Sequence, residues 1–244
     1  MRRIVVPVSG GKDSQACLKM AVETHGAENV EGLFCDTQFE HPKTYAHIEW
    51  MRLLYGVTIH VITAGSVGDK VRKHKRFPDW NSRHCTDELK LRPTRDWLRM
   101  YALFNGAVEV WYGMRSDESS QRASRYAGKN STDLYPPHEV LKKKYPKYLG
   151  AMGVRFRLAV LHWTDDDVFD YLAGMENPLY DEGFDRVGCF PCLAAGKRAK
   201  DKAFQHDDFG RAQRKVVWLM EQDTGKSVYD GSPPCYEGCE TCAT

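Results

Sequence analysis

A parallel α/β fold is what the sequence predicts, on three observations. Short apolar runs alternate with helix-length segments through the first half of the chain, loops rich in Gly, Ser, Asp and Arg follow those runs, and the cysteines crowd toward the far end. Strand–helix alternation implies parallel pairing with right-handed crossovers. Sheets of this kind bind ligands at the carboxyl ends of their strands, where the strand order reverses.

The elements follow in order. Residues 4–8 (IVVPV) read as the first strand, 14–24 as a helix, 30–35 as the second strand, 42–55 as a helix and 58–63 as the third strand. A helix is expected over 89–104 and another buried strand over 107–112. The polar stretch 124–150, with Pro136-Pro137 and a Lys-rich run, reads as a loop or a substrate-facing excursion. Residues 158–162 resume an apolar strand. Thr164 then caps a helix whose first turn carries Asp165, Asp166 and Asp167, which read as capping acids rather than metal ligands, with Val168, Tyr171 and Leu172 on the inner side.

The 244 residues suffice for one α/β domain, 1–175, and a smaller Cys-rich region, 176–244, made of a CxxC loop, a helix and a Cys tail. A net charge of +2 is too small to imply nucleic-acid binding from bulk electrostatics. The local basic runs 70–76 and 142–147 read as solvated faces. No apolar run approaches a membrane span, and Met1-Arg2-Arg3 leads straight into a strand, so a cytoplasmic protein with no membrane partner is expected. Eight cysteines in a reducing compartment point to metal or sulfur chemistry rather than disulfides. Cys17 and Cys35 fall in helix and strand patterns and read as core thiols.

Ser9-Gly10-Gly11-Lys12-Asp13-Ser14, between the first strand and the first helix, is the chemically richest segment. Glycines let backbone N–H groups approach an oxyanion, and the helix turns its positive end toward it. Lys12 follows the glycine pair directly, so the spacing is not the Walker pattern. After the second strand, Asp36-Thr37 read as nucleoside recognition. After the strand at 107–112, the segment Gly113-Met114-Arg115-Ser116-Asp117-Glu118-Ser119-Ser120-Gln121-Arg122 brings two guanidinium groups to the same edge, each able to grip phosphate or sulfate with paired bonds.

Gly188-Cys189-Phe190-Pro191-Cys192 is a CxxC turn with no strand–helix redox unit around it, which favours two ligands on one metal or cluster. Cys85 is the natural third ligand, and soft thiolates suit an iron–sulfur cluster or zinc. Cys235, Cys239 and Cys242 in the tail read as a source of the fourth ligand, or as a sulfur carrier or second metal site.

Ser9–Ser14 looks like the PP-loop of ATP pyrophosphatases. With Asp36-Thr37, Pro42, Thr44-Tyr45, Arg83-x-Cys85, Lys90, Pro93, Gly113-x-Arg115-x-x-Glu118-Ser119-x-x-Arg122, Leu161-x-Trp163-Thr164 and Gly188-Cys189-x-x-Cys192, the chain resembles the phosphoadenylylsulfate (PAPS) reductase family from about residue 4 to 193. The resemblance implies an adenine nucleotide alpha-hydrolase-like, Rossmann-like parallel sheet with helices on both faces. It implies nucleotide binding by Ser9, Gly10, Gly11, Lys12, Asp13, Ser14, Asp36, Thr37, Gly113, Arg115 and Glu118, with Lys12, Asp13, Arg115 and Arg122 catalytic. Within the family the chain is most similar to the ATP pyrophosphatases of DNA phosphorothioation systems of the Dnd and Ssp type. That similarity implies ATP, Mg²⁺ and a 4Fe-4S cluster as cofactors and nucleic acid as substrate, DNA ahead of tRNA. It also implies a cysteine desulfurase as sulfur donor, other modification-complex subunits and a homodimer as partners. His84-Cys85 stands where adenylylsulfate reductases carry a Cys pair, and their Glu-Cys-Gly-x-His tail is lacking, although Glu237-Gly238-Cys239-Glu240 keeps a reductase activity as the alternative.

Overall fold

The computed structural model describes residues 3–79, 81–141 and 144–232. Cys235, Cys239 and Cys242, and with them the expected roles of the tail, lie outside the described residues, as do Lys142 and Lys143. In chain order the elements are β1 Arg3–Val8, α1 Lys12–His25, β2 Val30–Asp36, α2 Pro42–Tyr55, β3 Thr58–Thr63, α3 Val67–His74, α4 His84–Thr86, α5 Arg92–Asn105, β4 Val108–Trp111, α6 Ser120–Arg125, α7 Pro137–Val140, α8 Lys147–Ala151, β5 Val154–Arg157, α9 Asp165–Leu172, α10 Lys197–His206 and α11 Asp208–Thr224. They form two compact units, one drawn from Met1–Asp36, Pro42–Ile62 and Leu91–Val187 and the other from Thr37–His41, Thr63–Lys90 and Gly188–Thr244.

The first unit holds the sheet, in the order β3-β2-β1-β4-β5. β1 pairs parallel with β2 on one side and β4 on the other, and β4 pairs parallel with β5. Alternate residues of β1 serve opposite faces. Ile4, Val6 and Val8 pack with Ala16, Cys17 and Leu18 of α1 and Val168 and Leu172 of α9. Val5 packs with Leu98 and Ala102 of α5, Val110 of β4 and Phe156 of β5. Both faces are covered by helices, which is why these strands read as unbroken apolar runs. Burial of each large aliphatic side chain stabilises this unit by roughly 1.5–3 kcal/mol. Because β2 and β4 flank β1, the strand order reverses between β1 and β4, and the loops leaving those two strands share a crevice.

Three expectations are corrected. The strand placed at 158–162 is β5, at Val154–Arg157. Leu158, Val160 and Leu161 are buried but lie in turns, with Leu161 N–H donating to Leu158 O and Trp163 N–H to Val160 O. A four-residue apolar run serves a buried turn as well as a strand, whereas the alternation of buried Val154 and Phe156 with half-buried Arg155 and Arg157 is the strand signal. The described residues of 124–150 are structured: Tyr126, Val140, Tyr145 and Leu149 enter the core, and Tyr135 exchanges two 2.8 Å backbone bonds with Phe156. Isolated apolar residues among lysines anchor it where overall polarity suggested a loop. The helix expected from 89 begins at Arg92, after a five-residue π-helical run, Asp87–Leu91.

The second unit packs Phe39, Val71, Leu89, Phe204, Val217 and Met220 into its own core. Where one helix was expected after the CxxC turn, two form. Between them Asp207 accepts from Gly210 N–H as the cap of α11 and from the buried His41 ring at 2.9 Å. Among the described residues no helix is long and apolar enough to cross a membrane.

Candidate active site

Local sequence shapes the β1–α1 loop. Gly10 has φ +74°, and a Cβ there would lie 2.6 Å from Thr44 Cγ2 on α2, so only glycine fits. Gly11 precedes α1 with extended backbone and no side-chain cap, which leaves the helix's positive end turned to the loop. Ser14 Oγ accepts from Ser9 N–H at 3.1 Å and donates to Gly11 O at 2.8 Å, closing the loop on itself. Two residues far along the chain brace it. Tyr180 Oη accepts from Lys12 N–H at 3.0 Å, and Asn177 Nδ2 donates to Gly10 O at 3.2 Å.

Two buried cations meet three carboxylates beside this loop, Asp13, Asp165 and Asp117. Lys12 and Arg115 are 4% and 2% exposed. Lys12 Nζ lies 2.6 Å from Asp165 Oδ1 and 3.6 Å from Asp13 Oδ1. Arg115 donates from Nε to Asp13 Oδ1 at 2.7 Å, from one terminal nitrogen to Trp163 O at 3.1 Å and from the other to Asp165 Oδ1. Asp117 Oδ2 lies 3.7 Å from the Arg115 guanidinium as well, and pairing with carboxylates is what permits burial of both cations. Burial pushes the Asp165 carboxyl up, but the bonds and charges of Lys12 and Arg115 outweigh it and hold the group below its ordinary value. Burial also pushes the Tyr180 hydroxyl up, to about 12, so it stays neutral as an acceptor for the Lys12 amide.

The β4 loop enters by close packing. A Cβ on Gly113 would meet Asp13 C and O at 2.6 Å. Glu118 accepts from Arg122 in an i,i+4 pair and from Arg115 N–H at 3.5 Å. Burial lowers the Arg122 guanidinium, and among its charged neighbours are Arg186 and Asp13. Lys12, Asp13, Arg115, Glu118 and Arg122 therefore lie together at the meeting of the β1 and β4 loops. Asp36, at the end of β2, accepts from Tyr45 Oη at 2.7 Å. A cavity of about 250 Å³ opens beside Lys12, lined also by Asp165, Phe169, Glu176, Tyr180, Asp181 and Asp185. Its carboxylates would repel a bare polyphosphate and favour one carrying a cation.

Thr37 belongs to the second unit, where it works with a thiol. Its Oγ1 donates to Glu40 Oε1 at 2.7 Å and lies 3.2 Å from Cys189 Sγ, while Glu40, 3% exposed, also accepts from Thr37 and Phe39 N–H groups. Burial pushes the Cys189 thiol up to about 11 and raises Cys85 as well, and the neighbouring Cys192 adds to both. The three expected thiols thus share one neighbourhood. Among the described residues, however, no group of three or more His, Cys, Asp or Glu side chains is gathered to hold a metal ion. Thiols held protonated must first lose their protons to become ligands. Cys17 is fully buried as a core thiol, whereas Cys35 is only half-buried, its Sγ 3.2 Å from Thr94 Oγ1.

Asp165, Asn177, Tyr180 and Glu40 are site residues that motif reading missed. The three aspartates after Thr164 carry both a cap, at Asp167, and a site carboxylate, at Asp165, which the sequence pattern does not distinguish. For Tyr180 no local signal exists, since its partner is 168 positions away.

Comparison with known proteins fixes the family. The family described as the phosphoadenosine phosphosulfate reductase domain matches residues 3–195. The chain belongs to this family. An uncharacterised protein of Methanocaldococcus jannaschii is 28% identical over 194 residues, 78% of this chain and 36% of that protein, so the chain spans about a third of that relative. An uncharacterised protein of Escherichia phage 186 is 27% identical, over 79% of this chain and 67% of its own length. An adenosine 5'-phosphosulfate reductase of Oceanobacillus iheyensis is 26% identical, over 81% and 74%. The structure of a phosphoadenylyl-sulfate reductase from Candida auris, a phosphate complex, superposes with a TM-score of 0.50 at 17% identity, covering 78% of this chain and 82% of that one, a likeness of fold. The parallel sheet with helices on both faces is thus the fold of a nucleotide-binding PP-loop family whose named members are enzymes.

Proposed function

We propose that the first unit binds ATP with its β and γ phosphates on the β1 loop and acts as an ATP pyrophosphatase. The observation that carries this is the pair of buried cations, Lys12 and Arg115, held where the β1 and β4 loops meet. A non-bridging phosphate oxygen of nucleic acid, DNA ahead of tRNA, attacks the α-phosphorus. The bond to the β-phosphate oxygen breaks, and pyrophosphate leaves. Ser9, Gly10, Gly11, Lys12 and Ser14 stabilise its charge, Arg115 and Arg122 offset charge on the pentavalent transition state, and Asp13 orients Arg115. Mg²⁺, when bound, would add charge neutralisation on the phosphates, and the acid-lined cavity beside Lys12 supports entry of a cation with them.

In the second step the outer sulfur of a persulfide, made by a cysteine desulfurase partner, attacks the activated phosphorus and AMP leaves. A further thiol then cleaves the sulfur–sulfur bond, leaving a phosphorothioate and a disulfide. The Cys85, Cys189 and Cys192 thiols, once deprotonated, would hold a 4Fe-4S cluster or zinc with a fourth ligand from Cys235, Cys239 or Cys242. Release of sulfite from an adenylylsulfate is the second reading, favoured by relatives named adenosine 5'-phosphosulfate reductase. Incubation with ATP, adenylylsulfate and PAPS in turn, each with a dithiol as two-electron donor and with and without DNA and RNA, separates them. Pyrophosphate from ATP that depends on DNA is the expected result, and sulfite with no pyrophosphate overturns it.

A further inference from the structure

We infer that Asp165 is a built-in competitor at the anion site: its carboxylate takes the place on Lys12 and Arg115 that a ligand oxyanion would take, and so selects for multiply charged anions. The inference rests on the reading of the β1 loop as an oxyanion site and adds the residue that decides which anions enter.

The geometry is specific. A single oxygen, Asp165 Oδ1, receives both the Lys12 ammonium at 2.6 Å and a terminal nitrogen of Arg115. One oxygen shared by an ammonium and a guanidinium is how a phosphate or sulfate oxygen is gripped. Asp165 is the accessible group that both cations share, with a side chain 61% exposed against 5%, 3% and 23% for Lys12, Arg115 and Asp13, whereas Asp117, 60% exposed, stands 3.7 Å from Arg115. Nor does α9 need this carboxylate. Thr164 and Asp167 form the complete capping box of that helix, each side chain bonded to the other's backbone N–H. Asp165 is therefore free to leave without unwinding its helix, whereas Asp13 sits beside Lys12 within α1 and stays.

The consequence is selectivity by charge. A monoanion that displaces Asp165 exchanges one negative charge for another and gains little. Pyrophosphate or a nucleotide phosphate chain brings more charge and more acceptor oxygens to the same two cations.

The test is calorimetric titration of the full chain, in buffer containing Mg²⁺, with inorganic pyrophosphate and, separately, with nitrate, on wild type, Asp165→Asn and Lys12→Met. The expected result is pyrophosphate binding about tenfold tighter in Asp165→Asn, equivalent to roughly 1.4 kcal/mol of competing ion-pair energy removed, with nitrate binding measurable only in that variant and pyrophosphate binding lost in Lys12→Met. Unchanged or weaker pyrophosphate binding in Asp165→Asn, with loss in Lys12→Met, overturns the competitor and leaves the oxyanion site standing. Absence of pyrophosphate binding in both wild type and Asp165→Asn overturns both. Should Asp165→Asn not fold, NMR titration of the wild-type Asp165 carboxyl decides: saturating pyrophosphate brings its titration up toward the ordinary carboxylate value if Asp165 is released from Lys12 and Arg115, and an unchanged or lower titration overturns the inference.

Discussion

Gly113 lies so close to Asp13 that a single added carbon would stand 2.6 Å from the Asp13 carbonyl. The β4 loop and the start of α1 are locked together at that point, and Arg115 is aimed at Asp13 by it. Gly113→Ala is expected to force the loops apart, with a loss of about 1–3 kcal/mol of stability and loss of ATP binding. Thermal unfolding and calorimetric titration with ATP check both.

Gly10 carries two constraints that can be separated. Its φ of +74° costs an L-residue about 1–2 kcal/mol, and its contact with Thr44 Cγ2 adds a clash. Gly10→Ala should destabilise by the sum. Adding Thr44→Ser removes the methyl and should recover the clash alone, about 1 kcal/mol. A double-mutant cycle in denaturant measures the recovery, and full recovery would show that φ is not strained.

Asp165 sets a pH dependence. Its folded carboxyl titrates below the ordinary value, so it contributes stability that is present above the unfolded value of about 3.9 and is lost as pH falls through the folded value. Wild type should therefore lose unfolding temperature more steeply than Asp165→Asn as pH is lowered from about 5 to 3. Equal slopes would show that Lys12 and Arg115 do not hold this carboxylate.

Tyr180→Phe removes the acceptor of the Lys12 amide. A cost of about 1 kcal/mol is expected, together with weaker binding of ATP, because the first turn of α1 is no longer tied to the 177–180 segment. Weaker binding with unchanged stability would assign Tyr180 to the ligand instead of the loop.

The thiols of the second unit give a readout independent of turnover. Protein purified without oxygen is expected to be brown and to contain iron and sulfide, with the visible absorption lost in Cys189→Ala. Colourless protein with stoichiometric zinc selects the other metal, and no metal in either form removes these residues as ligands.

Much of this site is legible in the sequence because its parts are local. The glycines of Ser9–Ser14 answer backbone needs at single positions, β1 is apolar because both its faces are covered, and Thr164–Asp167 cap within four residues. Failures came where one local pattern serves two structures. Leu158–Ala159–Val160–Leu161 has the apolarity of a strand and folds as buried turns, and the polar 124–150 stretch hides four core anchors.

By itself, then, the sequence determined the α/β class, the oxyanion loop after β1, the helix caps and the membership of Arg115, Glu118 and Arg122 in one loop. Those properties depend on side-chain period and on neighbours a few positions apart. Tertiary structure alone decided that Tyr180 holds the Lys12 amide, that Glu40 and Thr37 surround Cys189, and that Asp165 joins Lys12 and Arg115. These are meetings of residues tens to more than a hundred positions apart, brought about by burial of the sheet faces and by charges that must be paired once water is excluded.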